Sequence, residues 1–226
     1  MIKLTADKLY NRLKHDLVGK EGSIKISFCG LDVEIDSTDT VGNSLQSWLE
    51  GYLKEKNIYY RTPDNTQEFP DFYLGENNKE NLLEVKAFNL DNGPGFDIAN
   101  FESYCSSLES KSYRLDADYL IIGYRMNGVI IKIENIWLKK IWEISSSSSS
   151  HKLKVQTKRG MIYNIRPCTW YSTSNRAKFK PFTEKKEFIE AIHETISNYK
   201  NTSIDVDDWY SKVKESYLSY YGEDLK

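Results

Sequence analysis

Phe69-Pro70-Asp71-Phe72-Tyr73-Leu74 and Leu82-Leu83-Glu84-Val85-Lys86-Ala87-Phe88 are two short apolar runs that each carry an acid, with Glu84 thirteen residues after Asp71. Their pattern is that of a strand pair. A strand sends residues i and i+2 to the same face, so Glu84 and Lys86 share one face while Leu83, Val85 and Ala87 turn to the core. The polar segment Gly75-Glu76-Asn77-Asn78-Lys79 between the runs is turn chemistry, and it allows an antiparallel return that brings Asp71 near Glu84. Two carboxylates so placed suit a hard divalent cation, and the lysine adds a positive charge beside them.

Phosphodiester hydrolysis needs a metal to polarise the phosphate, an activated water and stabilisation of the leaving oxygen. On this reading Asp71 and Glu84 ligate Mg²⁺ and the Val85 carbonyl adds a ligand. Lys86 orients the attacking water, or helps to deprotonate it, and offsets phosphate charge. A Glu-x-Lys on a strand also occurs as a solvated salt-bridge face. Here it sits in an apolar run, follows a Pro-Asp at hairpin distance and shares the chain with a strongly basic segment.

Outward from this pair, the chain reads as alternating strands and helices. Leu4 to Val18 has Leu9, Leu13 and Leu17 at helical spacing. Ile24–Phe28 and Leu31–Ile35 alternate around Cys29-Gly30 as a hairpin. A second helix from about Val41 to Asn57 buries Leu45, Trp48, Leu49, Tyr52 and Leu53 and leaves Asn43, Gln46 and Glu50 on a polar face. After the strand pair, Asn89–Gly95 is a loop, followed by a helix from about Asp97 to Lys111. Ala117–Tyr124 is nearly all apolar and reads as a central strand with Val129–Ile133 as its partner. Ile136–Ile144 reads as a short helix, and the six serines Ser145–Ser150 as a flexible connection without chemistry of its own. Lys152–Thr157 and Met161–Ile165 form a hairpin, and Glu184–Tyr199 and Asp207–Tyr221 two closing helices. The expected fold is α/β, a mixed β-sheet flanked by helices, in one domain over 1–226: helix and hairpin in 1–40, a catalytic core in 41–144, and a hairpin, loop and closing helices in 151–226.

The Pro-Asp and Glu-x-Lys pieces resemble the PD-(D/E)xK nuclease superfamily. The element order over residues 20 to 185 follows that of EcoRV-like type II restriction endonucleases, which implies a restriction-endonuclease-like fold. Leu83–Asn89 followed by Gly93-Pro94-Gly95-Phe96-Asp97-Ile98-Ala99-Asn100-Phe101 is similar to the NgoBV/NlaIV group of those enzymes. EcoRV-like enzymes usually carry a further acid on the helix before the motif. Gln46 sits nearer the expected place, and Glu50 is the one acid on that helix's polar face. The resemblance implies a Mg²⁺-dependent homodimer in which each subunit cuts one strand of double-stranded DNA and reads half of a short palindrome, of GGNNCC type if the NgoBV/NlaIV similarity holds.

Thr169 to Lys180 is the candidate reading element. The hydroxyls and amide of Ser172, Thr173, Ser174 and Asn175 suit base edges, Arg176 suits guanine, and Lys178 and Lys180 suit phosphates. Asp97 and Asn100 are placed for a minor-groove or dimer contact, with helix capping by Asp97 as the alternative. Two rival readings stay open at this level: a repair or recombination nuclease of the same fold that recognises DNA structure, and a DNA-binding protein in which the acid–lysine cluster is only a salt bridge.

Charge distribution points the same way. The formal net charge of −2 hides a segment, His151–Lys186, with ten basic residues against Glu184 alone, balanced by an acidic tail. A polyanion suits such a segment. The 226 residues, 39% of them hydrophobic, suffice for a core. The charged N-terminus and the lack of a long apolar run give the expectation of a cytoplasmic protein that does not enter a membrane. Cys29, Cys105 and Cys168 are too few and too scattered for a zinc ribbon or disulfide framework, and the three histidines lack metal-finger neighbours.

Overall fold

The computed structural model describes residues 1–65, 68–172 and 178–225. In chain order the elements are α1 (Ala6–Leu17), β1 (Glu21–Gly22), β2 (Ile24–Phe28), β3 (Leu31–Ile35), α2 (Val41–Glu55), β4 (Phe72–Tyr73), β5 (Leu82–Asn89) and β6 (Ala99–Asn100). They continue with α3 (Phe101–Leu108), β7 (Asp118–Asn127), β8 (Ile130–Lys139), α4 (Ile141–Ile144), β9 (Val155–Lys158), β10 (Met161–Ile165), α5 (Lys185–Ser197) and α6 (Val206–Tyr221). The chain divides into two compact units, Met1–Pro94 with Ala117–Lys139, and Gly95–Asp116 with Lys140–Lys226.

The first unit is a mixed five-stranded sheet in the order β1-β8-β7-β5-β4. Only β5 and β7 run parallel; the other neighbours are antiparallel. Alternation decides which face meets the helices. Leu83 and Val85 of β5, Leu120, Ile122 and Tyr124 of β7, and Ile131, Ile133 and Ile136 of β8 form one buried cluster with Leu9 and Leu13 of α1 and Leu49, Tyr52 and Leu53 of α2. Tyr52 also donates its hydroxyl to Asp16 at 2.6 Å, tying α2 to α1. The opposite face of β5 carries Glu84, Lys86 and Phe88. There Gly123 of β7, level with Phe88, leaves room for the Trp137 ring that stacks on Phe88.

The second unit contains α3 to α6 and the three-stranded sheet β6-β10-β9. Its interior includes Phe101, Cys105, Phe188, Ile192 and Trp209, and the Trp209 indole donates to the Cys105 carbonyl at 2.8 Å. No helix among the described residues is long and apolar enough to cross a membrane.

Four local expectations need correction, the first at Trp48, which is 43% exposed and not part of the buried stripe of α2. Ile136–Ile144 is not one helix: β8 runs on through Lys139, and only Ile141–Ile144 is helical. Ile136, Trp137 and Leu138 pair in register with Ile122, Ile121 and Leu120, so ladder hydrogen bonds override the local apolar spacing. The helix after the glycine loop starts at Phe101 rather than Asp97, and Asn100 is its N-cap, its side chain accepting from the Ser103 N–H at 3.0 Å. The serine run is built into the fold at its start, where Ser145 and Ser146 are buried and Ser146 bridges Pro181.

Candidate active site

β4 and β5 pair antiparallel, Phe72 opposite Leu83 and Tyr73 opposite Leu82. One residue further along that register, Asp71 stands opposite Glu84. The Asp71 N–H donates to Glu84 Oε2 at 3.3 Å, and Asp71 Oδ2 accepts the Val85 N–H at 2.7 Å. Asp71 therefore caps the end of the β4–β5 ladder with its carboxylate. Lys86 Nζ lies 2.8 Å from Glu84 Oε1, as the i, i+2 spacing requires, and only 21% of the Lys86 side chain is exposed.

Gln46 reaches this cluster from α2, its Nε2 donating to Asp71 Oδ1 at 2.8 Å. Glu50, one helical turn on, is held elsewhere: Lys54 lies 2.9 Å from it and the Tyr60 hydroxyl donates to it at 3.0 Å. Lys54 first, then Tyr60, hold its carboxyl below the ordinary range. Both residues line a cleft of about 330 Å³ with Asn43, Ser47, Thr62 and Asp71. The i, i+3, i+7 polar face of α2 announces Asn43, Gln46 and Glu50. Thr62 and Pro63 carry no comparable signal, since they are drawn in by the chain path after α2.

Burial and the neighbouring Glu84 charge push the Asp71 carboxyl up to about 7, against the opposing pull of the Val85 N–H, Lys86 and Gln46. A pair of acids that resists double ionisation is short of positive charge. Its oxygen donors are those that a hard divalent cation prefers, and Mg²⁺ takes one or two carboxylates and fills its remaining positions with water and phosphate oxygen. The donor set thus fits such an ion. Among the described residues no group of three or more Asp, Glu, His or Cys gathers at one point, so protein carboxylates alone would supply two ligands.

Of the remaining sequence candidates, Asp97, Asn100, Ser172, Lys178 and Lys180 belong to the second unit. Thr173, Ser174, Asn175 and Arg176 lie outside the described residues. Ser172, Lys178 and Lys180 are exposed, and Lys178 Nζ lies 5.2 Å from the centre of the Phe179 ring. Asn100 caps α3 and is exposed. Asp97 pairs with Arg166, which also donates to the Gly95 carbonyl at 2.7 Å. The basic segment is likewise part structural: Lys154 donates to the Pro167 carbonyl at 2.7 Å, and Lys185 pairs with Asp116 at 2.6 Å beneath Tyr217.

Comparison with known proteins converges on one group. Residues 3–226 match the family model described as NgoBV restriction endonuclease. The type II restriction enzyme NlaIV of Neisseria lactamica is 37% identical over 230 residues, covering 100% of this chain and 94% of that enzyme. The type II restriction enzyme NgoBV of Neisseria gonorrhoeae is 38% identical over 165 residues, covering 70% of this chain and 93% of that enzyme. The solved structure of NlaIV restriction endonuclease superposes with a TM-score of 0.94 at 36% identity, covering 100% of this chain and 93% of that one. Type II restriction enzymes are site-specific deoxyribonucleases that act on double-stranded DNA, generally with a divalent metal. With the family model spanning nearly its whole length and two type II enzymes aligned with it, this chain belongs to the NgoBV restriction endonuclease family.

Proposed function

We propose that this restriction endonuclease uses Mg²⁺ to hydrolyse both strands of DNA at a short palindrome of GGNNCC type, acting in the cytoplasm as a homodimer in which each subunit cuts one strand. The observation that carries the reading is the cluster of Asp71, Glu84 and Lys86 at the end of one strand pair, with Gln46 on the Asp71 carboxylate.

In this reading Asp71 and Glu84 would hold the ion, with the Val85 carbonyl as a further ligand. Bound Mg²⁺ supplies neutralisation of phosphate charge and a more acidic water. Lys86, its ammonium held 2.8 Å from Glu84 Oε1, would orient the attacking water and offset charge on the phosphate oxygens. Gln46 orients Asp71, doing from α2 what an acid does in the EcoRV-like pattern. Glu50, already paired with Lys54 and Tyr60, borders the cleft as the one acid that α2 adds beside Gln46. Ser172 to Lys180 reads the site, with Arg176 on guanine and Lys178 and Lys180 on phosphates, while Asp97 and Asn100 shape the neighbouring backbone.

Unmethylated phage DNA incubated with the protein and Mg²⁺, followed by sequencing of the fragment ends, tests this. Discrete fragments ending at one GGNNCC-type palindrome are expected, with Ca²⁺ supporting binding but not cutting. Cleavage that persisted in excess EDTA would refute the metal mechanism, and ends at unrelated sequences would refute the recognition site.

A further inference from the structure

From Ile144 to Thr183 the chain carries no Asp or Glu, and the β9–β10 hairpin stands within that stretch. Its register sorts the side chains onto two faces. Val155 pairs with Ile165 and Thr157 with Ile162 on one face, while Gln156 pairs with Asn164 and Lys158 with Met161 on the other. Ile162 and Ile165 are buried, and the Ile162 N–H donates to the Tyr199 hydroxyl at 3.3 Å, so the first face is anchored to the chain just after α5. The Ile98 N–H donates to the Ile165 carbonyl at 3.0 Å and fixes the root of the hairpin through β6. The second face is open to solvent. Gln156, Lys158, Met161 and Tyr163, which stands at a register shift, are exposed, and Asn164 donates to Gln156 at 3.1 Å, setting two amides side by side.

The tip concentrates positive charge that the fold does not use. Nearer the root, Lys152 lies 3.7 Å from Glu194, Lys154 donates to the Pro167 carbonyl and Arg166 pairs with Asp97. Lys158 and Arg159 are exposed, and no acid among the described residues pairs with either. Arg159 also sits where its backbone is disfavoured. The turn has φ of +53° at Arg159 and +78° at Gly160, the mirror-image geometry of a two-residue hairpin, which calls for Asn, Asp or Gly at both positions. Asn57 and Asn81 enter that region with a residue type that tolerates it, whereas an arginine there is held at a cost to the fold. An exposed cation under backbone strain, with no carboxylate to hold it, points to a task outside the fold.

The chemistry of this ribbon matches a nucleic acid. The major groove of B-DNA, about 12 Å wide, admits a two-stranded ribbon; paired amides suit base edges, and adjacent Lys and Arg suit phosphates. We infer that the β9–β10 hairpin is a DNA-contacting ribbon separate from the Ser172 to Lys180 loop, its tip clasping backbone phosphates through Lys158 and Arg159 while Gln156 and Asn164 face the duplex. The inference rests on duplex DNA as the substrate and is independent of which loop reads the site.

Salt titration of DNA binding tests it. Arg159→Gly separates the two roles of that position, because glycine relieves the turn and removes the charge. Its urea midpoint should hold or rise while the slope of log affinity against log salt loses about one unit; Lys158→Gln/Arg159→Gly should lose about two, on duplexes with and without a GGNNCC site. Between about 50 and 200 mM salt the affinity of that double variant should therefore fall about 10-fold less than that of the wild type. Arg159→Lys should restore the slope. Lys212→Gln/Lys214→Gln removes the same charge from α6, where Lys212 lies near Glu109 and Asp208, and should leave the slope unchanged. An unchanged slope in Lys158→Gln/Arg159→Gly, or an equal loss in the α6 variant, overturns the ribbon and leaves the proposed function standing; a wild type that binds neither duplex refutes both. A urea midpoint that falls in Arg159→Gly would make Arg159 a residue of the fold and overturns the ribbon as well.

Photo-crosslinking reads the facing directly. p-Benzoylphenylalanine in place of the exposed Gln156 should attach to duplex DNA, and in place of Leu218, 48% exposed on α6, should not. No adduct from position 156, or equal adducts from both positions, overturns the inference.

Discussion

Asp71→Asn should stabilise the metal-free protein at pH 8 while removing its activity. Asp71 is partly buried opposite Glu84, and its carboxyl is pushed up to about 7 from the ordinary 3.8. Between those values the folded protein keeps a proton there that the unfolded chain has released. Its contribution to stability is therefore fully present below about pH 4 and is lost as pH rises through about 7. At about 1.4 kcal/mol per pH unit, the interval sets a ceiling of roughly 4 kcal/mol on the cost of ionising Asp71 in the folded state. Asparagine avoids that cost. Its Oδ1 can keep the Val85 N–H and its Nδ2 can face Gln46, whose amide turns over to accept, a rearrangement costing on the order of 1 kcal/mol. The variant should thus be about 2–3 kcal/mol more stable at pH 8 and no more stable than the wild type near pH 4. Urea unfolding in EDTA, at a series of pH values from about 4.5 to 8.5, measures the gap. A gap that fails to widen with pH, or a variant less stable than the wild type at pH 8, would show that Asp71 and Glu84 do not form a strained acid pair. Mg²⁺ at about 100 times its dissociation constant should return roughly 2.7 kcal/mol to the wild type and little to the variant.

Lys86→Ala should slow cleavage about 10²-fold or more while specific DNA binding persists, measured by cleavage rate and gel shift on the same protein; near-normal cleavage would remove Lys86 from the site. Gln46→Glu would set a third carboxylate where Nε2 now lies 2.8 Å from Asp71 Oδ1, so the acid limb of the pH–rate profile should move to higher pH. An unmoved limb would mean that Gln46 does not govern Asp71. Gly123→Ala would bring a Cβ to 2.7 Å from the Trp137 ring, and the urea midpoint should fall by the equivalent of about 1–3 kcal/mol; an unchanged midpoint would show that the ring moves aside freely. In salt titrations, Lys178→Ala and Lys180→Ala should each reduce the binding slope by about one on any duplex, whereas Arg176→Ala should cost on the order of 1–3 kcal/mol on the specific site alone. Equal losses on random duplex would make Arg176 a phosphate contact.

What the sequence discloses about this site follows from how far each inference has to reach. Glu84 and Lys86 share a face because of strand period alone, and Asp71 meets Glu84 because a short polar turn can return the chain only antiparallel. Gln46 and Glu50 needed more. Both stand on the polar face of α2, and periodicity cannot say which will touch Asp71. The choice depends on how α2 seats Leu49 and Leu53 against Leu83 and Val85, and on Lys54 and Tyr60 engaging Glu50 first. The same limit explains the misread segments. Ile136–Leu138 fits either a helix or a strand until β7 supplies a ladder, and Asp97 and Asn100 compete for one helix start until Arg166 takes Asp97. The basic segment was visible as charge, but its sum counted Lys154, Arg166 and Lys185, which the fold occupies with a carbonyl and two carboxylates. Removing those three leaves seven of the ten basic residues for DNA contact, among them the exposed Lys178 and Lys180 that the salt titrations probe.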